Sequence, residues 1–137
     1  MKPALSLLTL LAAGLFAGSS MAMTDQEYKA ERDRIAADYK AAKAQCDALK
    51  GNAEDVCEEQ AKGAEKVAGA ELEAKRNPSD GTQRNVELAK ANAEYGVAKE
   101  KCDDLSGEAK ITCRKDASAA HKAARDRMTA STPLPSR

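Results

Sequence analysis

The sequence predicts an all-α protein of two disulfide-stapled antiparallel helical hairpins, forming an elongated four-helix bundle or coiled coil. Three observations predict it. Alanine fills 24 of the 115 residues after Ala22, and Tyr28, Tyr39 and Tyr95 are the only aromatic residues there. Side chains large enough for a sheet-based core are therefore scarce. Charged residues make up 32% of the 137-residue chain at a formal net charge of zero, a composition suited to long solvent-facing helices. The chain also repeats itself. Shifted by 56 residues, Tyr39, Ala42, Lys43, Cys46, Asp47, Leu49, Gly51, Ala53 and Cys57 fall on Tyr95, Ala98, Lys99, Cys102, Asp103, Leu105, Gly107, Ala109 and Cys113. Such a period marks a unit used twice.

Residues 1–22 read as a secretory signal peptide: Lys2 is the positive end, Ala4 to Phe16 the apolar run, and Ser20-Met21-Ala22 the small-residue cleavage site. The apolar run is shorter than the roughly 20 residues that cross a bilayer, so no integral membrane span is expected after cleavage. The first cysteine is Cys46, far from the cleavage site, which argues against a lipoprotein. The expected destination is the periplasm, where cysteines are oxidised in pairs.

Residues 23–76 form the first predicted hairpin. Thr24-Asp25-Gln26-Glu27 is a capping box. Tyr28, Ile35, Tyr39, Ala42, Cys46 and Leu49 then follow heptad spacing, interrupted by Arg32. The first helix is expected to reach Lys50. Gly51 supplies a left-handed closure and Asn52 a cap for the second helix, which runs to about Arg76. Residues 77–130 form the second hairpin, opened by Asn77 as cap and Pro78 as first helical residue. Its seam is Leu88, Ala91, Tyr95, Ala98, Cys102 and Leu105. Gly107 repeats the turn, the fourth helix runs to about Met128, and residues 131–137 are expected to be a disordered tail.

Ten residues separate the members of each cysteine pair, with a glycine in the middle. If the chain turns at that glycine, Cys46 stands level with Cys57 and Cys102 with Cys113, and local staples result. If each helix runs unbroken through its glycine, both cysteines share one face about 16 Å apart. Two such helices would instead bridge Cys46 to Cys113 and Cys57 to Cys102. Glycine inside a helix costs about 1 kcal/mol, which favours the local pairing.

No C-x-x-C redox motif or zinc knuckle is present. His121 lies eight residues after Cys113, on a different part of the helix surface, and is expected to be an exposed helix residue. No phosphate loop, nucleophile elbow or H-E-x-x-H occurs. The acidic residues are spread along helices, where Asp25 with Lys29, Glu58 with Lys62, and Glu71 with Lys75 form stabilising i, i+4 pairs. No catalytic residue, metal or cofactor is expected. Without its leader the chain carries 21 basic and 22 acidic residues, which disfavours nucleic acid as a partner. The remaining candidate partners are an unidentified envelope protein or a second copy. Tyr28, Ile35, Val67, Leu72, Val86 and Val97 are expected to fill the four-helix core.

The run from Tyr39 to Cys57, Y-K-A-A-K-A-Q-C-D-A-L-K-G-N-A-E-D-V-C, resembles the repeated segment of a family of small exported proteins in Gram-negative bacteria. These are Ala/Lys/Glu-rich, Cys-paired repeat proteins, often labelled TolA-like cell envelope biogenesis proteins. The resemblance extends over nearly all of the chain after the leader, and the second copy departs from the pattern at Gly96, Glu108, Ile111 and Thr112. It implies an envelope role without catalytic residues. The expected function is therefore non-enzymatic, structural or protein-binding. The alternatives are a thiol protein for redox buffering or metal capture, and a stress-protective, chaperone-like binder.

Overall fold

The computed structural model describes residues 22–130. Residues 1–21, which hold most of the expected leader, and the expected tail over 131–137 lie outside the described residues. Four helices follow in order: α1 Asp25–Cys46, α2 Asn52–Arg76, α3 Asp80–Cys102 and α4 Gly107–Ala130. Among the described residues no helix is long and apolar enough to cross a membrane.

Local chemistry sets the helix starts. The Thr24 hydroxyl accepts the Glu27 amide at 3.2 Å, and the Glu27 carboxylate accepts the Thr24 amide at 2.8 Å, which closes the expected capping box. A second box opens α3, where Ser79 and Thr82 exchange equivalent bonds at 3.1 and 3.0 Å. This corrects the expected start at Asn77 and Pro78. Asn77 instead ends α2, donating its amide to the Glu73 carbonyl at 2.8 Å. Its backbone leaves the helical region, at φ −129° and ψ 74°, because the following proline disfavours that region.

Each helix packs against its neighbours in sequence and no others: α2 on α3 most extensively, α1 on α2, and α4 on α3. The arrangement is bundle-like but open. On α2, Ala61 and Ala68 line the cleft toward α1, while Gly63 meets Ala93 of α3. Positions 61 and 63 point 200° apart at 100° per residue, so α2 is clasped from opposite sides. The short connections make neighbouring helices antiparallel. Both cysteine-bearing turns lie at one pole, and the α2–α3 connection lies at the other with the outer ends of α1 and α4.

Packing is thin. Leu72 and Val86 are 4% and 5% exposed, Ala61, Ala74 and Ala91 are also buried, and α4 buries no residue. Tyr28, Ile35, Val67 and Val97 are only half-buried. Small residues bring α2 and α3 close. A Cβ at Gly63 would stand 2.7 Å from the Ala93 Cβ, and one at Gly96 would meet the Glu59 side chain.

Far from the staples, α1 is tied to α2 by Tyr28, whose hydroxyl donates to the Glu73 carboxylate beneath the Arg76 guanidinium, 4.3 Å from the ring centre. Asp25 pairs with Arg76 at 2.7 Å, so Lys29 turns to Asp33 at 2.8 Å instead of to Asp25. Glu58 pairs with Lys62 at 3.8 Å. The bond to Glu73 raises the Tyr28 pKa above its ordinary value, with burial and the Glu73 charge adding to the effect. A raised folded-state pKa gives a contribution that is complete below the unfolded value of about 10 and is lost as pH rises through the folded one. Tyr28→Phe is expected to remove a phenol component ionising above pH ~10 from the absorbance titration at alkaline pH. A lost component that ionises at or below the ordinary tyrosine value would contradict this tie.

Candidate functional site

The two cysteine turns share their geometry. α1 ends at Cys46 and α3 at Cys102, and each cysteine carbonyl accepts the amide three residues on, from Leu49 at 2.8 Å and from Leu105 at 3.1 Å. Gly51 then takes φ +60° and Gly107 φ +56°. The disulfides are local, Cys46 to Cys57 and Cys102 to Cys113, with Cα atoms 5.5 and 5.6 Å apart. No cysteine is free. The crossed pairing is thereby excluded.

Two expectations change here. The helices stop at the cysteines, short of Lys50 and Leu105, because a hairpin of packed helices needs a connection of a few residues and Gly51 alone cannot make it. Leu49 and Leu105 consequently leave the seam for the turns, where they are 38% and 42% exposed. Gly51 also caps α2 and does not close α1, with Asn52 as the first helical residue. Its φ +60° and ψ −143° are closed to L side chains, yet a Cβ there would meet nothing within 4 Å. Gly51→Ala is therefore expected to cost about 1–3 kcal/mol through backbone strain alone. D-alanine introduced by semisynthesis should show no such loss, since the mirror-image conformation is ordinary extended backbone. Equal thermal midpoints for the two variants would refute this.

Below each staple runs a shallow groove between the arms. The first, about 240 Å³, contains Ile35, Asp38, Tyr39, Ala64 and Glu65. The second, about 220 Å³, contains Ala91, Glu94, Tyr95, Ala120 and His121 at the positions 56 residues on. Both fall below the 300–1,000 Å³ typical of small-molecule sites. They are the size of side chains.

The grooves differ where Glu65 corresponds to His121. His121 is half-buried, and its ring stacks on Tyr95 with centroids 4.6 Å apart and planes 4° from parallel. Its Nε2 lies 2.7 Å from the Asn92 Oδ1, and the Lys99 ammonium sits 5.1 Å from the Tyr95 ring centre. This corrects the expectation of a plain exposed helix residue. Spacing carried the signal: Tyr95 is seven residues before Cys102 and His121 eight after Cys113, so a local staple sets them level. Tyr28 and Arg76 are level in the same way, 18 residues before Cys46 and 19 after Cys57.

The turn ends differ in charge. Asp47, Glu54 and Glu58 place carboxylate oxygens within 4.8 Å of one another, although Lys43 and Lys62 already approach Glu58 at 3.4 and 3.8 Å. In the second hairpin the corresponding residues are Asp103, Lys110 and Arg114. There Asp103 is bridged at 3.1 and 2.6 Å. These two bonds, Lys110 first, hold its carboxyl below the usual range.

Comparison of the chain with protein-family models, curated proteins and solved structures gave no match.

Proposed function

We propose that the chain is an exported, non-enzymatic protein of the periplasm that acts as a structural or protein-binding element of the cell envelope. The observation carrying this reading is the pair of matched Tyr- and Ala-lined grooves, each set beneath a closed disulfide. Oxidised cysteines suit an oxidising compartment, the apolar leader suits export, and a duplicated, alanine-rich helical unit offers two corresponding clefts to one partner. Grooves of this size accept side chains of another protein more readily than a substrate.

The test places a photo-crosslinking residue at Ala64 and, separately, at Ala120 in cells, both exposed on the groove floors. Intact mass and thiol alkylation of the protein purified without reductant are read alongside. The expected result is a chain beginning at Met23, fully bridged, and crosslinked to the same envelope protein from both positions. Free thiols or copurifying metal would replace this reading with thiol or metal chemistry. Crosslinks to a broad set of unfolded chains would replace it with a chaperone-like role.

A further inference from the structure

The layer has two edges. α2 and α3 are each packed on both sides, whereas α1 touches only α2 and α4 only α3. The 56-residue shift gives each unpartnered face a partnered counterpart. At the α2·α3 junction, Gly63 lies against Ala93 and the Glu59 side chain lies across Gly96. The residues corresponding to Glu59 and Gly63 are Lys115 and Ala119 on the outer face of α4. Those corresponding to Ala93 and Gly96 are Ala37 and Lys40 on the outer face of α1. All four are exposed.

We propose that these two faces form a latent head-to-tail junction for a second copy of this chain, α4 of one copy packing on α1 of the next as α2 packs on α3, held open by Lys40 and Lys115. Continuity with the internal interface carries the choice of occupant, since the same repeat positions that join the hairpins within the chain are presented outward at its ends. Ala119 against Ala37 adds one methyl to the Gly63 and Ala93 contact, which a slightly wider approach accommodates. Val67, Val86 and Val97 correspond to Ala123, Ala30 and Ala41, so the outer faces offer less apolar area, and the change that opposes association is electrostatic. In the α2·α3 junction the Glu59 carboxylate lies over Gly96 and is approached by the Lys62 ammonium at 3.7 Å. In the junction between copies, two ammonium groups are directed into that same space, where like charges oppose association.

A head-to-tail contact that does not close on itself adds copies without limit, so two lysines at this position keep the chain a finite unit. Terminal units of stacked repeats commonly carry polar outer faces to the same effect.

The test is sedimentation velocity over a range of concentrations on the protein with both disulfides intact. The unsubstituted chain is expected to be monomeric. Lys115→Glu, which sets a carboxylate opposite Lys40, should give dimers and larger species that grow with concentration and dissolve in high salt, and Lys40→Glu should do the same. The double variant Lys40→Glu/Lys115→Glu restores like charges and should return to the monomer. Circular dichroism on each variant confirms that the exposed substitutions leave the helices in place. A monomeric Lys115→Glu overturns the junction. Association of the unsubstituted chain, or of the double variant as strongly as the single ones, overturns the lysine gate.

Discussion

Reducing both disulfides is expected to release α4 and α1 from the layer and to remove about half of the helical signal. α1 contributes 22 helical residues and α4 24. Neither has much else to hold it. α4 buries no residue, and the only buried residue of α1 is Cys46, itself part of a bridge. Each bridge closes an 11-residue separation, worth about 3 kcal/mol on the chain-entropy estimate, against the 5–15 kcal/mol typical of a whole domain. Freed helices of this length are marginal in water. Loss of one bridge should lower the thermal midpoint by on the order of 15 °C.

Hydrogen exchange on Cys102→Ser/Cys113→Ser and Cys46→Ser/Cys57→Ser should show the corresponding outer helix losing protection in each case, α1 keeping only its Tyr28 and Asp25 ties and α4 its His121 contacts with Tyr95 and Asn92. Acid deepens the effect in the first variant. The Asp103 carboxyl has a lowered folded-state pKa, so its contribution is present above the unfolded value of about 3.9 and is lost as pH falls through the folded one. Full protection of α4 after its bridge is removed would show that the staple is dispensable.

Leu72→Ala is expected to be the most damaging single side-chain truncation, costing about 2–5 kcal/mol. Leu72 is 4% exposed and the largest side chain of a core whose other buried members are alanines, Val86 and two cysteines. A core with so few large side chains has little to fill the space left behind, which places the cost toward the upper part of that range. Chemical denaturation should show a lower midpoint with an unchanged slope. A loss below 1 kcal/mol would mean that the layer does not depend on the burial of Leu72.

Much of this architecture was legible in the residues. Thr24 and Glu27 announced the start of α1, glycines at 51 and 107 announced positive φ, and glycine placed midway between cysteines favoured the local bridges over crossed ones. The differences between sequence and structure have separate physical causes. A heptad seam records the side of a helix that faces a neighbour, and it continues past the point where the backbone must unwind to turn, so Leu49 and Leu105 were read as seam residues. At the 77–79 break, Asn77 and Ser79 are both good caps on composition, and the reciprocal bond available to Ser79 and Thr82 decides between them. The openness of the layer was harder to read. α2 carries two apolar stripes on opposite sides, and in an alanine-rich helix the second is too faint to separate from background. His121 was missed because its contact depends on the register between two arms, which follows only once the cysteine pairing is fixed.

Both disulfide turns stand at the pole opposite the outer ends of α1 and α4, and this has a mechanical consequence. Tension applied through the two chain ends would act on the weakly packed outer helices and peel them toward the staples, where unravelling stops. Each bridge withholds 11 residues. At about 3.6 Å per extended residue, less the 5.5 Å between its Cα atoms, each loop conceals roughly 34 Å of chain. The oxidised and reduced forms would therefore differ in fully stretched length by about 70 Å, so that the oxidation state of four sulfur atoms becomes a distance.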